Sequence, residues 1–213
     1  MCFHSKQTKQ ATEVESRFKA KIDKLSEFKP SDNINGFSFS KTPVIIDRHP
    51  EIITHYNWGL IPEWSKDDEI RKMTLNAKIE TIEEKPSFRN SVNKRCLIIA
   101  NGFYEWQWLD SKGKNKIKYE IGIGNEELFA FGGIYSQWVD TITGEIRNTY
   151  AMVTTEANAL MAEIHNIKKR MPVILRKEDE NKWLEHYPIK EFAFPYEVNL
   201  VAKKLDQNQI SLF

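Results

Sequence analysis

The sequence predicts a single α+β domain, mostly strand through its central half, with short helices before and after. Three observations point there. Between residues 95 and 175 apolar side chains follow the patterns of strands: Cys96-Leu97-Ile98-Ile99-Ala100 is an unbroken apolar run, and Ile117, Tyr119, Ile121 and Ile123 alternate with Lys118 and Glu120. Helical spacing is confined to a few segments: 13–27, 154–165 and 178–186. A chain of 213 residues with 40% hydrophobic content and six Trp makes one substantial core, and no Pro/Gly/Ser-rich linker divides it.

In chain order, Phe18, Ile22 and Leu25 stand at i, i+4 and i+7 among charged residues between Glu13 and Glu27, which predicts an amphipathic surface helix. Pro30 to Gly36 reads as a polar loop, and Phe37 and Phe39 then alternate and lead through Pro43 into Val44-Ile45-Ile46, a strand pair. Tyr56 to Trp64 is dense in aromatics and turn formers. Trp58 and Trp64 fit core or rim packing, while aromatics beside a groove also make stacking platforms for unpaired bases. After the charged loop at 66–72, Asn76 is placed either to bond its own backbone in a turn or to orient a reactive group. Lys78 shares its face if the segment is a strand, and adds a cation for phosphate.

The strand at 96–100 is broken by Asn101-Gly102. From Phe103 onward, Tyr104, Trp106 and Trp108 share one face, and Phe103, Glu105 and Gln107 the other. Three aromatics predict a core wall with Glu105 turned away from it. A carboxylate among bulky apolar neighbours is costly to desolvate unless it has partners or a task, so Glu105 reads either as a solvated strand residue or as a general acid/base in a pocket. Strands at 117–123, 129–135 and 149–154 follow. Thr154-Thr155-Glu156 offers the N-cap of a short helix that buries Ala157, Leu160, Met161 and Ile164. His165 closes it, where the helix dipole favours a protonated ring. The run Lys168-Lys169-Arg170 leads into a strand at 171–175; it is either a solvated surface or, beside His165, the strongest local phosphate site. A helix over 178–186 turns Trp183 and Leu184 inward, and the remainder to Phe213 is weakly patterned.

Several function classes recede on composition. The formal charge is +1, so nucleic-acid binding must rest on local clusters of Lys and Arg. The first ten residues hold no apolar h-region and no later run reaches the length of a membrane span, so a soluble, cytoplasmic protein is expected. Two cysteines make no disulfide framework; both should be thiols, with Cys96 plain core packing. The cysteines and five histidines show no metal-ligand spacing, and no cofactor is expected. Cys2 stands apart. If Met1 is removed it carries a free α-amine and a thiol, with unperturbed pKa values of about 7.7–8.0 and about 8.5, so each is partly reactive near neutral pH. The amine can attack an aldehyde to give an imine, which the thiol then closes into a thiazolidine. The plain alternative is a mobile terminus in which residue 2 is arbitrary.

Taken together, Cys2, Trp58-Gly59-Leu60-Ile61-Pro62 with Trp64, Asn76-Ala77-Lys78-Ile79-Glu80-Thr81, Arg95-Cys96-Leu97-Ile98 through Gly102-Phe103-Tyr104-Glu105-Trp106, and Ile164-His165 followed by Arg170-Met171-Pro172 resemble the SRAP family of SOS-response-associated peptidases or abasic-site-processing proteins. The resemblance implies a single SRAP-like domain over residues 1–213, built around a twisted, barrel-like, mostly antiparallel sheet with flanking helices. It implies a monomer that binds single-stranded DNA, nucleoid-associated when bound, and joins Cys2 covalently to the ring-opened aldehyde of an abasic site. By the same resemblance Asn76 positions the cysteine or sugar, Glu105 shuttles protons, and His165 assists ring opening and later reversal. His4, Trp64, Lys78, Lys168, Lys169 and Arg170 are the expected DNA contacts. The chain departs from the family in Phe3-His4 where Gly-Arg is common, in Lys78 where arginine is more usual, which keeps the charge but loses the bidentate fork, and in the longer spacing from His165 to Arg170. A cysteine peptidase using Cys2, His165 and Glu105, and a non-covalent single-strand binding module, stay open as alternatives.

Overall fold

A computed structural model of the chain describes residues 2–205; Met1, whose removal the Cys2 chemistry calls for, and residues 206–213 lie outside the described residues. Strand β1 (His4–Gln7) leads into α1 (Ala11–Phe18), then β2 (Lys21–Ile22), β3 (Ser31–Asn35), β4 (Lys41–Ile46) and β5 (His49–Trp58). The middle of the chain carries β6 (Asn76–Lys78), β7 (Arg95–Ala100), β8 (Gly102–Trp108), β9 (Lys116–Gly122), β10 (Phe129–Val139) and β11 (Ile146–Glu156). Then come α2 (Ala159–Ile164), β12 (Arg170–Pro172), β13 (Ile174–Leu175), α3 (Glu180–Leu184) and β14 (Val201–Leu205). The class is α+β, as the patterning predicts.

Two sheets organise the strands. One runs β14-β9-β8-β1-β3 with antiparallel neighbours throughout. The other runs β12-β11-β10-β7-β4-β5-β2, and β11 pairs a second time, in parallel, with β5 through Thr149–Asn57 and Tyr150–Trp58. That second pairing closes β5, β4, β7, β10 and β11 into a ring, a small barrel with one parallel seam. At the seam Trp58 and Tyr150 stack with centroids 6.1 Å apart, Trp58 Nε1 donates to the Leu75 carbonyl at 2.8 Å, and the Tyr150 and Thr42 hydroxyls share a hydrogen bond of 2.8 Å. Gly59 turns the chain out of β5 at φ 110°, a conformation L side chains rarely adopt, and its N–H donates to the Tyr150 carbonyl.

Alternation along the ring strands feeds two apolar clusters. Ile45, Leu97 and Ile99 belong to one; Val44, Ile46, Cys96, Ile98 and Ala100 belong to the other, so β7 is covered on both faces as its unbroken apolar run predicts. The first cluster takes in Val14 of α1 and Trp183 of α3. Trp183 is fully buried, and its N–H donates to the carbonyls of Cys96 (3.1 Å) and Gly133 (3.3 Å), so no polar atom is stranded. The second cluster joins the ring to the five-strand sheet through Phe103 and Ile121, to α2 through Met161 and Ile164, and encloses Cys2.

Four local expectations are corrected. The helix expected over 13–27 spans only Ala11–Phe18: Gln10 and Glu13 form a capping box at its start, and Lys19 ends it in a left-handed conformation at φ 53°. Ile22 then joins β2 beside β5, and Leu25 is exposed. The expected loop at 30–36 contains β3, whereas Phe37 lies in a 3-10 turn and Phe39 at φ 51° ends it. The cap of α2 is Asn158, whose Oδ1 accepts from Met161 N at 2.9 Å, because β11 runs on through Thr154 and Thr155 to Glu156. The largest reversal is on β8. Phe103 and Glu105 face the inter-sheet core, while Tyr104, Trp106 and Trp108 form the opposite face, where Lys118 lies 4.0 Å from the Tyr104 ring and Lys116 4.5 Å from that of Trp108. Lysine ammonium groups lie over the rings there, with Tyr104 buried and Trp106 and Trp108 half-buried, so this face is covered without the inter-sheet core. Among the described residues no helix is long and apolar enough to cross a membrane.

Candidate active site

Cys2 precedes β1, which lies between β3 and β8 with His4 opposite Tyr104. This carries the second residue of the chain to the inward face of β8. Its side chain is fully buried, the thiol sits 3.5 Å from the His4 carbonyl, and its own carbonyl accepts from Asn76 Nδ2 at 2.9 Å. Asn76 opens β6, which is laid parallel on β11 with Asn76 opposite Met152. The amide therefore ties the start of the chain to the ring. Asn76 Oδ1 is buried with no hydrogen-bond partner among the described residues.

Glu105 is 5% exposed. Burial pushes its carboxyl up to about 7, against the pull of the chain's amino-terminal charge and a backbone hydrogen bond at Trp106. Burial, then the nearby Glu105 charge, push the Cys2 thiol well above its ordinary value. At neutral pH the site thus holds a protonated thiol beside a carboxyl that is about half ionised.

His165 caps the C-terminus of α2, which docks on β8: Gln107 Nε2 donates to the Glu163 carbonyl at 3.2 Å, and Asn166 exchanges hydrogen bonds with the Trp108 main chain at 2.8 and 3.1 Å. Its Nδ1 is held by the Arg170 main chain, 2.9 Å from the carbonyl oxygen and 3.1 Å from the amide nitrogen. Burial is the main cause that brings the ring down to about 4. The helix dipole invoked for a protonated His165 is outweighed, and the ring is neutral at pH 7.

The expected DNA contacts divide. Lys78, Lys168 and Lys169 are exposed, and Trp64 is 53% exposed, with its N–H on the Pro86 carbonyl at 3.2 Å. His4 is half-buried, its Nδ1 2.9 Å from Asn33 Oδ1 and its ring edge-on to Trp106. Arg170 differs from its lysine neighbours. It is buried, with Nη1 on Glu80 at 2.8 Å and Nη2 on the Thr154 carbonyl at 2.7 Å. Glu80 stands in the motif that runs from Asn76 to Thr81, but nothing local marks its role, because its partner lies 90 positions on.

Two sizeable clefts, about 740 Å³ beside Arg17 and Arg176 and about 550 Å³ beside His55 and Arg147, are lined by none of Cys2, Asn76, Glu105 or His165. In the second, Arg147 is already paired with Asp68 and Glu145. Cys2, Asn76 and Glu105 instead lie in the enclosed interior between the sheets. No three His, Cys, Asp or Glu side chains among the described residues are arranged to hold a metal ion.

Comparison with known proteins gives three findings. The model of the SOS response associated peptidase (SRAP) family matches residues 1–210. The abasic site processing protein YoqW of Bacillus subtilis is 43% identical over 159 residues, covering 74% of this chain and 68% of that protein; the mouse abasic site processing protein HMCES is 31% identical over 184 residues, covering 68% of this chain and 51% of that protein. A crystal structure of a Bacteroides thetaiotaomicron protein superposes with a TM-score of 0.88 at 36% identity, covering 100% of this chain and 95% of that one.

Proposed function

Because the chain belongs to the SOS response associated peptidase (SRAP) family, we propose that it processes abasic sites in single-stranded DNA by joining Cys2 covalently to the ring-opened sugar. The observation that carries this reading is the enclosure of Cys2 beside Asn76 and the high-pKa carboxyl of Glu105. The names of its relatives, abasic site processing proteins, agree with it.

With Met1 removed, the α-amine of Cys2 attacks the C1′ aldehyde, forming a C–N bond, and the carbonyl oxygen becomes a hydroxyl. Loss of that hydroxyl as water leaves an imine. The thiol then adds across the C=N bond, sulfur to carbon and proton to nitrogen, and closes the thiazolidine; the net release is one water. Glu105, poised near 7, takes the proton from the attacking amine and returns one to the departing hydroxyl. Asn76 fixes the Cys2 main chain, which is what holds amine and thiol on one side of the sugar. His165, neutral and held at Nδ1 by the Arg170 main chain, bonds a sugar oxygen through Nε2 during ring opening and reversal. A peptidase would need a thiolate at Cys2 at the outset, whereas the imine route calls on the thiol only after the amine has attacked.

The test is a denaturing gel of the protein with single-stranded oligonucleotides that do or do not contain an abasic site. A denaturation-resistant band confined to the abasic strand, absent for Cys2→Ala and for protein retaining Met1, is expected. A band of undiminished yield with Cys2→Ala would exclude the thiazolidine and point to a lysine imine.

A further inference from the structure

We propose that Glu80 is a positioning residue for His165, acting through Arg170. The contacts form a continuous chain. Glu80 Oε1 accepts from Arg170 Nη1 at 2.8 Å, and Arg170 Nη2 donates to the Thr154 carbonyl at 2.7 Å and lies 3.2 Å from its hydroxyl. The main chain of the same arginine grips the imidazole at Nδ1, at 2.9 and 3.1 Å. Arg170 is thus fixed at both ends, its guanidinium to Glu80 and β11 and its backbone to the ring.

Strand register explains how Glu80 reaches this position. Thr154 pairs with Lys78 of β6 on one side and with Pro172 of β12 on the other, so the residues that follow β6 are delivered to the first residue of β12. The ladder that places Asn76 against the Cys2 carbonyl therefore places Glu80 against Arg170. Four positions apart, the two side chains secure the two halves of the site.

Charge makes Glu80 more than one acceptor among several. Arg170 and His165 are 8% and 9% exposed, so a lost contact is poorly replaced by water. A buried guanidinium with only the neutral oxygens of Thr154 would lack a counter-charge, and the favourable response is to swing outward and drag the start of β12 with it. Burial works against the Glu80 carboxylate as well, yet the Arg170 hydrogen bond holds it below the ordinary carboxylate range, the mark of a committed ion pair. If Arg170 moves, the two main-chain contacts at Nδ1 that orient the His165 ring move with it.

This inference rests on the reading of His165 as a group acting at the abasic sugar, and its two readouts fail separately. In the free protein, ¹⁵N spectra of the His165 ring, assigned with His165→Asn, should show one set of ring-nitrogen signals for the native chain. These should shift or double in Glu80→Ala and Glu80→Gln, and return towards the native positions in Glu80→Asp. With an abasic single-stranded oligonucleotide, the maximal crosslinking rate of Glu80→Gln should fall about 10- to 100-fold while the half-saturating DNA concentration changes less than about 2-fold. Adding Glu80→Gln to His165→Ala should slow the reaction no further. Unchanged ring signals in a folded Glu80→Gln protein, or lost affinity at an unchanged maximal rate, would overturn the proposal. If Glu80→Ala does not fold, the near-isosteric Glu80→Gln alone decides. If the native protein forms no adduct, the functional reading falls while the ring signals still decide the role of Glu80.

Discussion

Replacing Glu105 with Gln should make the protein more stable and less active at once, and the stability gain should grow with pH. Burial raises the carboxyl from the ordinary 4.5 to about 7, so between these values the folded chain binds a proton that the unfolded chain has released. Stability must then fall as pH rises through this window. Below pH 4.5 the carboxyl is protonated in both states and adds no penalty; above about 7 the folded state carries a buried carboxylate. At 1.36 kcal/mol per pH unit the full penalty is about 3 kcal/mol, and at 5% exposure solvent screening discounts it little. Glu105→Gln removes the charge and keeps the shape. Urea unfolding followed by tryptophan fluorescence should therefore give equal stabilities at pH 4.5 and a variant more stable by up to about 3 kcal/mol at pH 8, with an unchanged m-value. The other titrating groups are common to both proteins and cancel in the difference, apart from the amino-terminal charge and the Cys2 thiol, which interact with Glu105 directly. The same variant should crosslink abasic DNA about 100-fold more slowly at pH 7, with partial recovery near pH 9 as the amine loses its proton unaided. A stability difference that is flat with pH, or that grows with the opposite sign, would refute a carboxyl held near 7 by burial.

His165→Ala should slow both formation and release of the adduct without recovery at high pH, and because the ring titrates at about 4 the inflection near 7 that belongs to Glu105 should persist in this variant; paired rate–pH profiles, with release followed by transfer to a competitor strand, read both. Alanine at Lys168 and Lys169 should flatten the salt dependence of single-strand binding by roughly 0.7 in log–log slope per lost contact, and an unchanged slope would return both lysines to a solvated face. Arg170 is left out of that pair because its guanidinium is already engaged by Glu80 and Thr154. Lys19→Gly should raise stability by up to about 1 kcal/mol, because glycine adopts the left-handed cap at φ 53° without strain; a lower melting temperature would show that the lysine stem contributes packing that outweighs it.

Much of the β framework is legible in the chain because alternation is local. The runs at 96–100, 103–108 and 117–123 are strands, and Cys96, Trp58 and Trp183 are core residues, as their patterns predict. Alternation states which side chains share a face but not which face is inward. Tyr104, Trp106 and Trp108 misled for that reason: Tyr104 is buried and both tryptophans half-buried on the face where Lys116 and Lys118 of the neighbouring strand lie over the rings, while the face with Glu105 is turned towards the inter-sheet core. The helix at 13–27 misled differently. Its spacing continues past Lys19, but backbone geometry and pairing of Ile22 with β5 end it there. The Glu80–Arg170 pair was beyond reach because nothing in either local pattern marks the other; only the laying of β6 and β12 on β11 brings them together.

The parallel seam that closes the ring also orders events during folding. The β4–β5 and β10–β11 pairs each join neighbouring segments, whereas Asn57 and Trp58 meet Thr149 and Tyr150 across about 90 positions of chain, a contact whose entropy cost comes before its reward. The hairpins should therefore form early and the seam late. Asn76 reaches Cys2 only after β6 lies on β11 immediately beyond that seam, so the amine, thiol and carboxyl come together in the last step. A partly unfolded chain then carries Cys2, Asn76 and Glu105 but not the enclosure that brings them together.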